Sequence, residues 1–74
     1  MSAKEQDGSR TTEGTVVETL PSDMFRVEID SGRFITAHVP GSARVHIVRI
    51  VPGDRVRVEV SEYDSSRGRI LARV

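Results

Sequence analysis

The sequence has no cysteine and no tryptophan, and its aromatic residues are two phenylalanines and one tyrosine. Without cysteine, the chain contains neither disulfides nor thiolate metal ligands, which agrees with a reducing compartment. No apolar run approaches the ~20 residues that span a bilayer, and residues 1–12 are polar and charged, unlike a signal peptide. These absences predict a soluble cytoplasmic protein without a membrane partner.

The chain also lacks the length and the residue groupings of an enzyme. At 74 residues it is one small domain, near the size at which a single core is barely sufficient, so little is left for a buried catalytic cavity. No nucleophile with its base, carboxylate pair or set of metal ligands stands out, and His38 and His46 are the only imidazoles. The sequence therefore predicts a binding protein without cofactor, metal or small-molecule substrate.

The net charge of zero conceals an uneven distribution. Residues 1–32 carry three basic and seven acidic side chains, a sum of −4, whereas residues 33–74 carry eight arginines and four acidic side chains, a sum of +4. Ten of the eleven cations are arginine, whose planar fork pairs with phosphate and stacks on bases. A genomic composition bias would also favour arginine, so the positions of the arginines are better evidence for nucleic-acid binding than their number.

The clearest structural pattern is a β-hairpin at residues 24–39. Apolar residues alternate with polar ones on both arms: Phe25, Val27, Ile29, Ile35, Ala37 and Val39. Directly paired residues share a face, and only a three-residue loop, Asp30-Ser31-Gly32, pairs the apolar residues with each other. This loop is a common hairpin form with a glycine at positive φ. The outer face then carries Met24, Arg26, Glu28, Phe34, Thr36 and His38.

Three more strands are predicted from alternation and turn residues. A first strand is expected at 14–20, a fourth at 55–60 and a last at 69–73. Their expected inward residues are Val16, Leu20, Val56, Val58, Val60, Ile70 and Ala72. Turn residues separate these strands from their neighbours: Pro21-Ser22-Asp23 after the first, Pro52-Gly53-Asp54 before the fourth and the polar loop 61–68 before the last.

Two segments have no strand pattern. Residues 1–13 are polar without apolar periodicity, and we expect them to be a disordered tail that precedes a domain at 14–74. Residues 42–46, after Pro40-Gly41, are expected to form a short helical turn or an irregular loop, followed by extended chain because β-branched residues dominate there.

Five short strands with an irregular connection between the third and the fourth are typical of the OB-fold. An SH3-like small barrel is the alternative, and periodicity alone does not separate the two; the break at residues 40–48 favours the OB-fold. The predicted class is all-β: a five-stranded Greek-key OB-fold barrel with a short helical turn between strands 3 and 4.

The candidate RNA-binding residues are cations and one aromatic ring that this fold would bring near one side, where such barrels hold oligonucleotides. They are Arg26, Phe34, His38, Arg44, Arg49, Arg67, Arg69 and Arg73. For the two loop arginines, Arg44 and Arg49, we favour phosphate contact over a solvated position. Phe34 is either a stacking platform or a ring tucked against the hairpin turn.

Other polar residues are assigned structural roles. Arg55 and Arg57 are expected to lie on a solvated strand face outside the site. Tyr63 and Asp64 are expected to be structural, the ring packing against the barrel and the carboxylate holding the loop.

In combination and order, the residues from 14 to 73 resemble the bacterial translation initiation factor 1 family, as a principal or a divergent second copy. The most specific landmarks are Leu20-Pro21 followed by Met24-Phe25-Arg26-Val27-Glu28, Ala37-His38, and Arg49-Ile50 before Gly53-Asp54. The resemblance implies a monomer that is not an enzyme and binds the small ribosomal subunit at the aminoacyl-tRNA site. There it would contact ribosomal RNA and a ribosomal protein and support the other initiation factors.

The resemblance also implies an RNA-binding loop, and differences from the family in this loop imply weaker binding. Arg44 and Arg49 would lie in the loop that enters the ribosomal RNA, surrounded by His38, Arg67, Arg69 and Arg73. The chain departs from the family there: Ser42 and Val45 stand where basic residues are usual, and Ile47 where an aromatic is usual. Each lost phosphate contact removes about one unit of salt dependence, so the loop predicts a looser grip on RNA.

Two other hypotheses remain open from the sequence. A divergent OB-fold that binds single-stranded RNA, as an RNA chaperone does, would have comparable affinity for unstructured RNA and for ribosomal subunits. A protein-interaction module that uses the barrel edge and the acidic first half would show no salt-sensitive RNA binding.

Overall fold

The computed structural model describes residues 11–43 and 49–74 and contains five strands with one 3-10 turn. The strands are β1 (Thr11–Leu20), β2 (Met24–Ile29), β3 (Phe34–His38), β4 (Arg55–Val60) and β5 (Arg67–Arg73). The 3-10 turn covers Gly41–Ala43, between β3 and β4. The all-β class is confirmed, and the helical turn begins one residue before the predicted segment. The rest of that segment, at 44–46, lies outside the described residues, as do residues 1–10 of the predicted tail.

The five strands close into a barrel in the order β1-β2-β3-β5-β4, with β1 pairing β4 to complete the circle. The pairing of β3 with β5 is parallel, and every other pairing in the barrel is antiparallel. The predicted OB-fold is therefore confirmed. Because β5 lies between β3 and β4, it connects the central hairpin to the rest of the barrel.

The central hairpin has the predicted register. Val27 pairs with Ile35 and Phe25 with Ala37, across a three-residue loop in which Gly32 has a φ of +94°. The apolar residues of both arms point inward because paired residues share a face of the sheet. The outer face of β2 and β3 is thereby left to four polar side chains together with Met24 and Phe34.

β1 and β5 are longer than the sequence pattern indicates. β1 begins at Thr11 rather than at residue 14, because residues 11–13 pair with β4 through their backbones. β5 begins at Arg67 rather than at residue 69 and pairs there with Thr36 of β3. A bulge at Val17, between Val16 and Glu18, interrupts the register of β1 with β2, and bulges of this kind bend a strand.

The barrel interior is entirely aliphatic among the described residues. Its buried members are Val16, Val27, Ile29, Ile35, Ala37, Val39, Ala43, Ile50, Val56, Val58, Val60 and Ile70. Leu20 and Ala72, expected to point inward, are only half-buried, because each lies at the end of its strand. No helix in the described part of the chain is long and apolar enough to span a membrane.

Candidate nucleic-acid interface

The outer surfaces of β2, β3 and β5 form a continuous face, here called the β2–β3–β5 face, on which the outward residues lie in rows across the strands. The first row is Met24, His38 and Arg69, which continues to Glu59 on β4. The second row is Arg26, Thr36 and Arg67. Neighbouring rows are two residues apart, about 7 Å along a strand, so their long side chains reach one another.

Two adjoining clefts open on this face. The first, of about 390 Å³, is lined by Met24, Thr36, His38, Glu59, Val60, Ser61, Glu62, Tyr63, Arg67, Gly68 and Arg69. The second, of about 320 Å³, is lined by Arg26, Phe34, Ile35, Thr36, Ser66 and Arg67. Thr36 and Arg67 belong to both. The structure therefore brings together five of the predicted site residues: Arg26, Phe34, His38, Arg67 and Arg69.

Two other predicted residues lie away from the clefts. Arg73 is six residues beyond Arg67 on β5, about 20 Å along the strand. Its guanidinium donates a hydrogen bond of 3.0 Å to the backbone carbonyl of Arg49, so these two residues adjoin each other. Asp54 stands beside Arg73, with 4.0 Å between Oδ2 and Nε. The eighth predicted residue, Arg44, lies outside the described part of the chain.

Each of the three arginines in the clefts is close to a carboxylate. Arg69 pairs with Glu59, the residue directly opposite it on β4. The Nε atom of Arg67 lies 3.5 Å from Oδ2 of Asp64. The third arginine, Arg26, has its Nε atom 3.4 Å from Oε1 of Glu18. The clefts are therefore far less positive than a count of their arginines indicates.

The loop that joins β4 to β5 is held by its own hydrogen bonds. The Ser61 hydroxyl oxygen accepts from the backbone N–H groups of Tyr63 at 3.1 Å and Asp64 at 3.2 Å. The Asp64 carboxylate accepts from the N–H of Ser66 at 3.0 Å and from its hydroxyl at 2.6 Å. The hydroxyl contact is the main reason that the pKa of Asp64 lies below its ordinary value. Asp64 thus holds the loop as predicted.

The position of the Tyr63 ring differs from the sequence prediction. The sequence predicts a ring packed against the barrel, but the ring is 92% exposed, at the wall of the first cleft. It lies at the tip of a loop whose hydrogen bonds fix the backbone, so it points outward rather than inward. A signal was present in the sequence, because Tyr63 stands in a run of serines and acidic residues without an apolar neighbour. On the wall of the second cleft, Phe34 is 53% exposed.

Arg55 and Arg57, predicted to stay outside the site, do lie outside both clefts. They are exposed, but they are also paired. The Arg55 guanidinium donates to Asp30 at 3.1 Å and to the Thr15 hydroxyl at 3.1 Å, and the Asp30 hydrogen bond is the main cause of its raised pKa. Both arginines also lie within 4 Å of Glu13, at 3.3 Å for Arg55 and 3.7 Å for Arg57. This network ties β4 to β1 and to the hairpin turn.

Within residues 11–43 and 49–74, no three His, Asp or Glu side chains come together as ligands for a metal ion. The chemistry that the β2–β3–β5 face does offer is hydrogen bonding and stacking. Guanidinium groups donate to phosphates and base edges, and exposed aromatic rings accept stacked bases.

Comparisons with known proteins agree with this geometry. The family model described as Translation initiation factor 1A / IF-1 matches residues 1–74. The bacterial translation initiation factor 1 from the Wolbachia endosymbiont strain TRS of Brugia malayi, known from a solution structure, is 39% identical with a TM-score of 0.70. The match covers 99% of this chain and 88% of that one. The crystal structure of YjeQ from Thermotoga maritima is 29% identical with a TM-score of 0.67, over 86% of this chain and 22% of that one.

Proposed function

The chain belongs to the translation initiation factor 1A / IF-1 family, and we propose that it binds the small ribosomal subunit as an initiation factor. It contacts ribosomal RNA at the aminoacyl-tRNA site together with a ribosomal protein, and it supports the other initiation factors. It acts as a cytoplasmic monomer and catalyses no reaction. The observation that carries this proposal is the match of the family model over residues 1–74.

The β2–β3–β5 face is the proposed RNA contact. Five predicted residues converge on two adjoining clefts there, and the three arginines among them are the donors that phosphate contacts require. Phe34 and His38 supply a stacking surface and a further hydrogen-bonding group. Arg49 and Arg73, which are joined by a hydrogen bond, form a second contact at the other end of β5.

The test is removal of charge from the clefts in the double variant Arg67→Ala/Arg69→Ala. Binding to purified small ribosomal subunits should weaken by at least about tenfold at physiological salt, because two phosphate contacts are lost. The dependence of log affinity on log salt should become shallower by about two units for the same reason. A salt titration of subunit binding measures both quantities.

The matched control is Arg55→Ala/Arg57→Ala, which removes the same charge from two alternate positions of β4 that line neither cleft. Thermal unfolding of both double variants checks that the barrel is intact. Equal weakening by the two variants would contradict the proposed interface. A wild-type protein that does not bind subunits would contradict the proposed function itself.

A second candidate is a single-stranded RNA binder or chaperone, and the exposed rings of Phe34 and Tyr63 beside the clefts favour it. Aromatic rings bind successive bases with little sequence preference. If the wild-type protein binds an unstructured RNA as tightly as it binds small subunits, this second function replaces the first.

A further inference from the structure

Glu59 and Arg69 form a charge pair between β4 and β5 at the first cleft. They are directly opposite each other on β4 and β5, and a carboxylate oxygen of Glu59 contacts a terminal guanidinium nitrogen, Nη2, of Arg69. The Glu59 side chain is 29% exposed, whereas that of Arg69 is 52% exposed. The carboxylate is thus the more deeply seated partner, and both residues line the first cleft.

The other two cleft arginines are held differently. Asp64 and Glu18 contact Arg67 and Arg26 through Nε, at 3.5 and 3.4 Å. Among the hydrogen bonds within the described residues, Arg69 is the one cleft arginine whose terminal Nη group donates to a carboxylate.

A carboxylate and a phosphate bind guanidinium with the same geometry, two oxygens accepting from a planar fork of N–H donors. An RNA phosphate that binds Arg69 must therefore displace the Glu59 carboxylate or share the guanidinium with it. In the second case the two negative groups lie side by side and repel each other. Displacement leaves a partly buried carboxylate without its partner, which costs free energy. The pair consequently opposes RNA binding in a way that an exposed carboxylate elsewhere in the cleft does not.

We propose that Glu59 is an affinity-limiting residue, an internal competitor that occupies Arg69 until RNA phosphate displaces it. This inference rests on the proposed function, because it concerns the same face and the same RNA. The protein then binds RNA more weakly than it would with all three cleft arginines free of carboxylates, and the Glu59 carboxylate accounts for much of the difference.

The test compares Glu59→Gln with Glu62→Gln. Both substitutions remove one negative charge from the lining of the first cleft, but Glu62 forms no salt bridge with any residue that the structure describes. Glu62→Gln therefore measures the effect of net charge alone. Small-subunit binding is measured for both variants over a range of salt concentrations, and thermal unfolding confirms that each variant is folded.

Glu59→Gln should bind small subunits about threefold or more tightly, because phosphate no longer has to displace a carboxylate from Arg69. Its salt dependence should match that of the wild type, since Arg69 pairs with phosphate in both proteins. Glu62→Gln should raise affinity by less than about twofold and leave the salt dependence unchanged, since it releases no arginine. Equal effects of the two substitutions would overturn the inference and leave the proposed function standing. Failure of the wild-type protein to bind subunits would instead overturn the proposed function.

A second arm repeats both substitutions in an Arg69→Ala background. The difference in affinity between Glu59→Gln and Glu62→Gln should disappear there, because without Arg69 there is no guanidinium for which Glu59 and phosphate compete. If the advantage persists without Arg69, Glu59 limits affinity by another route and the inference is wrong.

Discussion

Gly68 is the residue at which the clefts and the barrel core meet. It is buried in β5 between Arg67 and Arg69, two of the three cleft arginines, and it lines the first cleft. A Cβ added here would lie 2.7 Å from the backbone carbonyl oxygen of Glu59 and 3.0 Å from Cδ1 of Ile35. The first contact is with backbone, which moves only if the strand moves. Glycine thus allows β4 and β5 to approach closely enough to bring their outward charges together.

Gly68→Ala should lower the free energy of unfolding by about 1–3 kcal/mol, the usual cost of forcing an extra group into a closely packed site. Chemical denaturation measures it. The control is Gly41→Ala, since a Cβ at Gly41 would meet nothing within 4 Å, and its effect should stay within about 0.5 kcal/mol. A loss of stability at Gly41 as large as that at Gly68 would show that close approach is not the cause.

The residue that the sequence pattern misplaces most clearly is Tyr63. Hydrophobic character alone predicts a packed ring, but its 92% exposure follows from hydrogen bonds between the Ser61 hydroxyl and the loop backbone. Such hydrogen bonds depend on the rotamer of Ser61 and on the path of the loop backbone, and the pattern of apolar residues in the sequence predicts neither. The role of Asp64 was predictable, because Asp commonly hydrogen-bonds the backbone two residues further on.

At the scale of elements, the central hairpin was predictable in full. Alternation assigned its two faces, and the requirement that apolar residues pair together left a single loop length. The ends of β1 and β5 were not predictable, because residues 11–13 and 67–68 contain no aliphatic side chain and join the sheet through their backbones. Backbone pairing of polar residues leaves no signal in hydropathy.

The loop between β4 and β5 should loosen in acid. The pKa of Asp64 is lowered, chiefly by the Ser66 hydroxyl, so the folded loop favours the ionised carboxylate. The stabilisation is present above the ordinary pKa of 3.8 and is lost as the pH falls through the lower pKa of the folded state. Between neutral pH and about pH 4, the Ser66 amide should therefore keep its chemical shift and slow exchange, and both should change below that range.

NMR titration of the Asp64 carboxyl and the Ser66 amide measures this prediction. Asp64→Asn is the control, because an amide can still accept hydrogen bonds but has no charge to titrate, so the acid transition should vanish. An Asp64 carboxyl that titrates at or above 3.8 in the folded protein would contradict the argument.

At the scale of the whole molecule, the sequence predicted a positive flank that its neutral total conceals. The structure divides those cations that lie in its described residues between the two ends of β5, and it pairs Arg26, Arg67, Arg69 and Arg73 with acids. The division could not be predicted from periodicity, because it depends on the direction of β5. The pairing of Arg69 with Glu59 could not either, since it depends on the register of β4 with β5.

Because the two ends of β5 are about 20 Å apart, their contributions to subunit binding should be additive. The free-energy losses from Arg67→Ala/Arg69→Ala and from Arg49→Ala/Arg73→Ala should sum, within about 0.5 kcal/mol, to the loss in the quadruple variant. Subunit-binding assays on the wild type and the three variants complete the cycle.

An RNA of about four nucleotides, long enough only for the clefts, should respond to the first double variant and not to the second. Tyr63 is the single tyrosine of a chain without tryptophan, so its emission reports the binding of this short RNA at the cleft. Strong coupling between the ends, or a short RNA that is sensitive to Arg73, would show that the two sets act as one surface.

The position of β5 between β3 and β4 has a consequence for biosynthesis. The four strands that precede it in the chain can form the sheet β4-β1-β2-β3, but the outer edges of β4 and β3 stay unpaired until residues 67–73 join them. Until then the nascent polypeptide exposes two unpaired edges beside an open apolar interior, the arrangement most prone to aggregation. Closure of the barrel therefore depends on the insertion of β5, after which no edge is left open between β3 and β4.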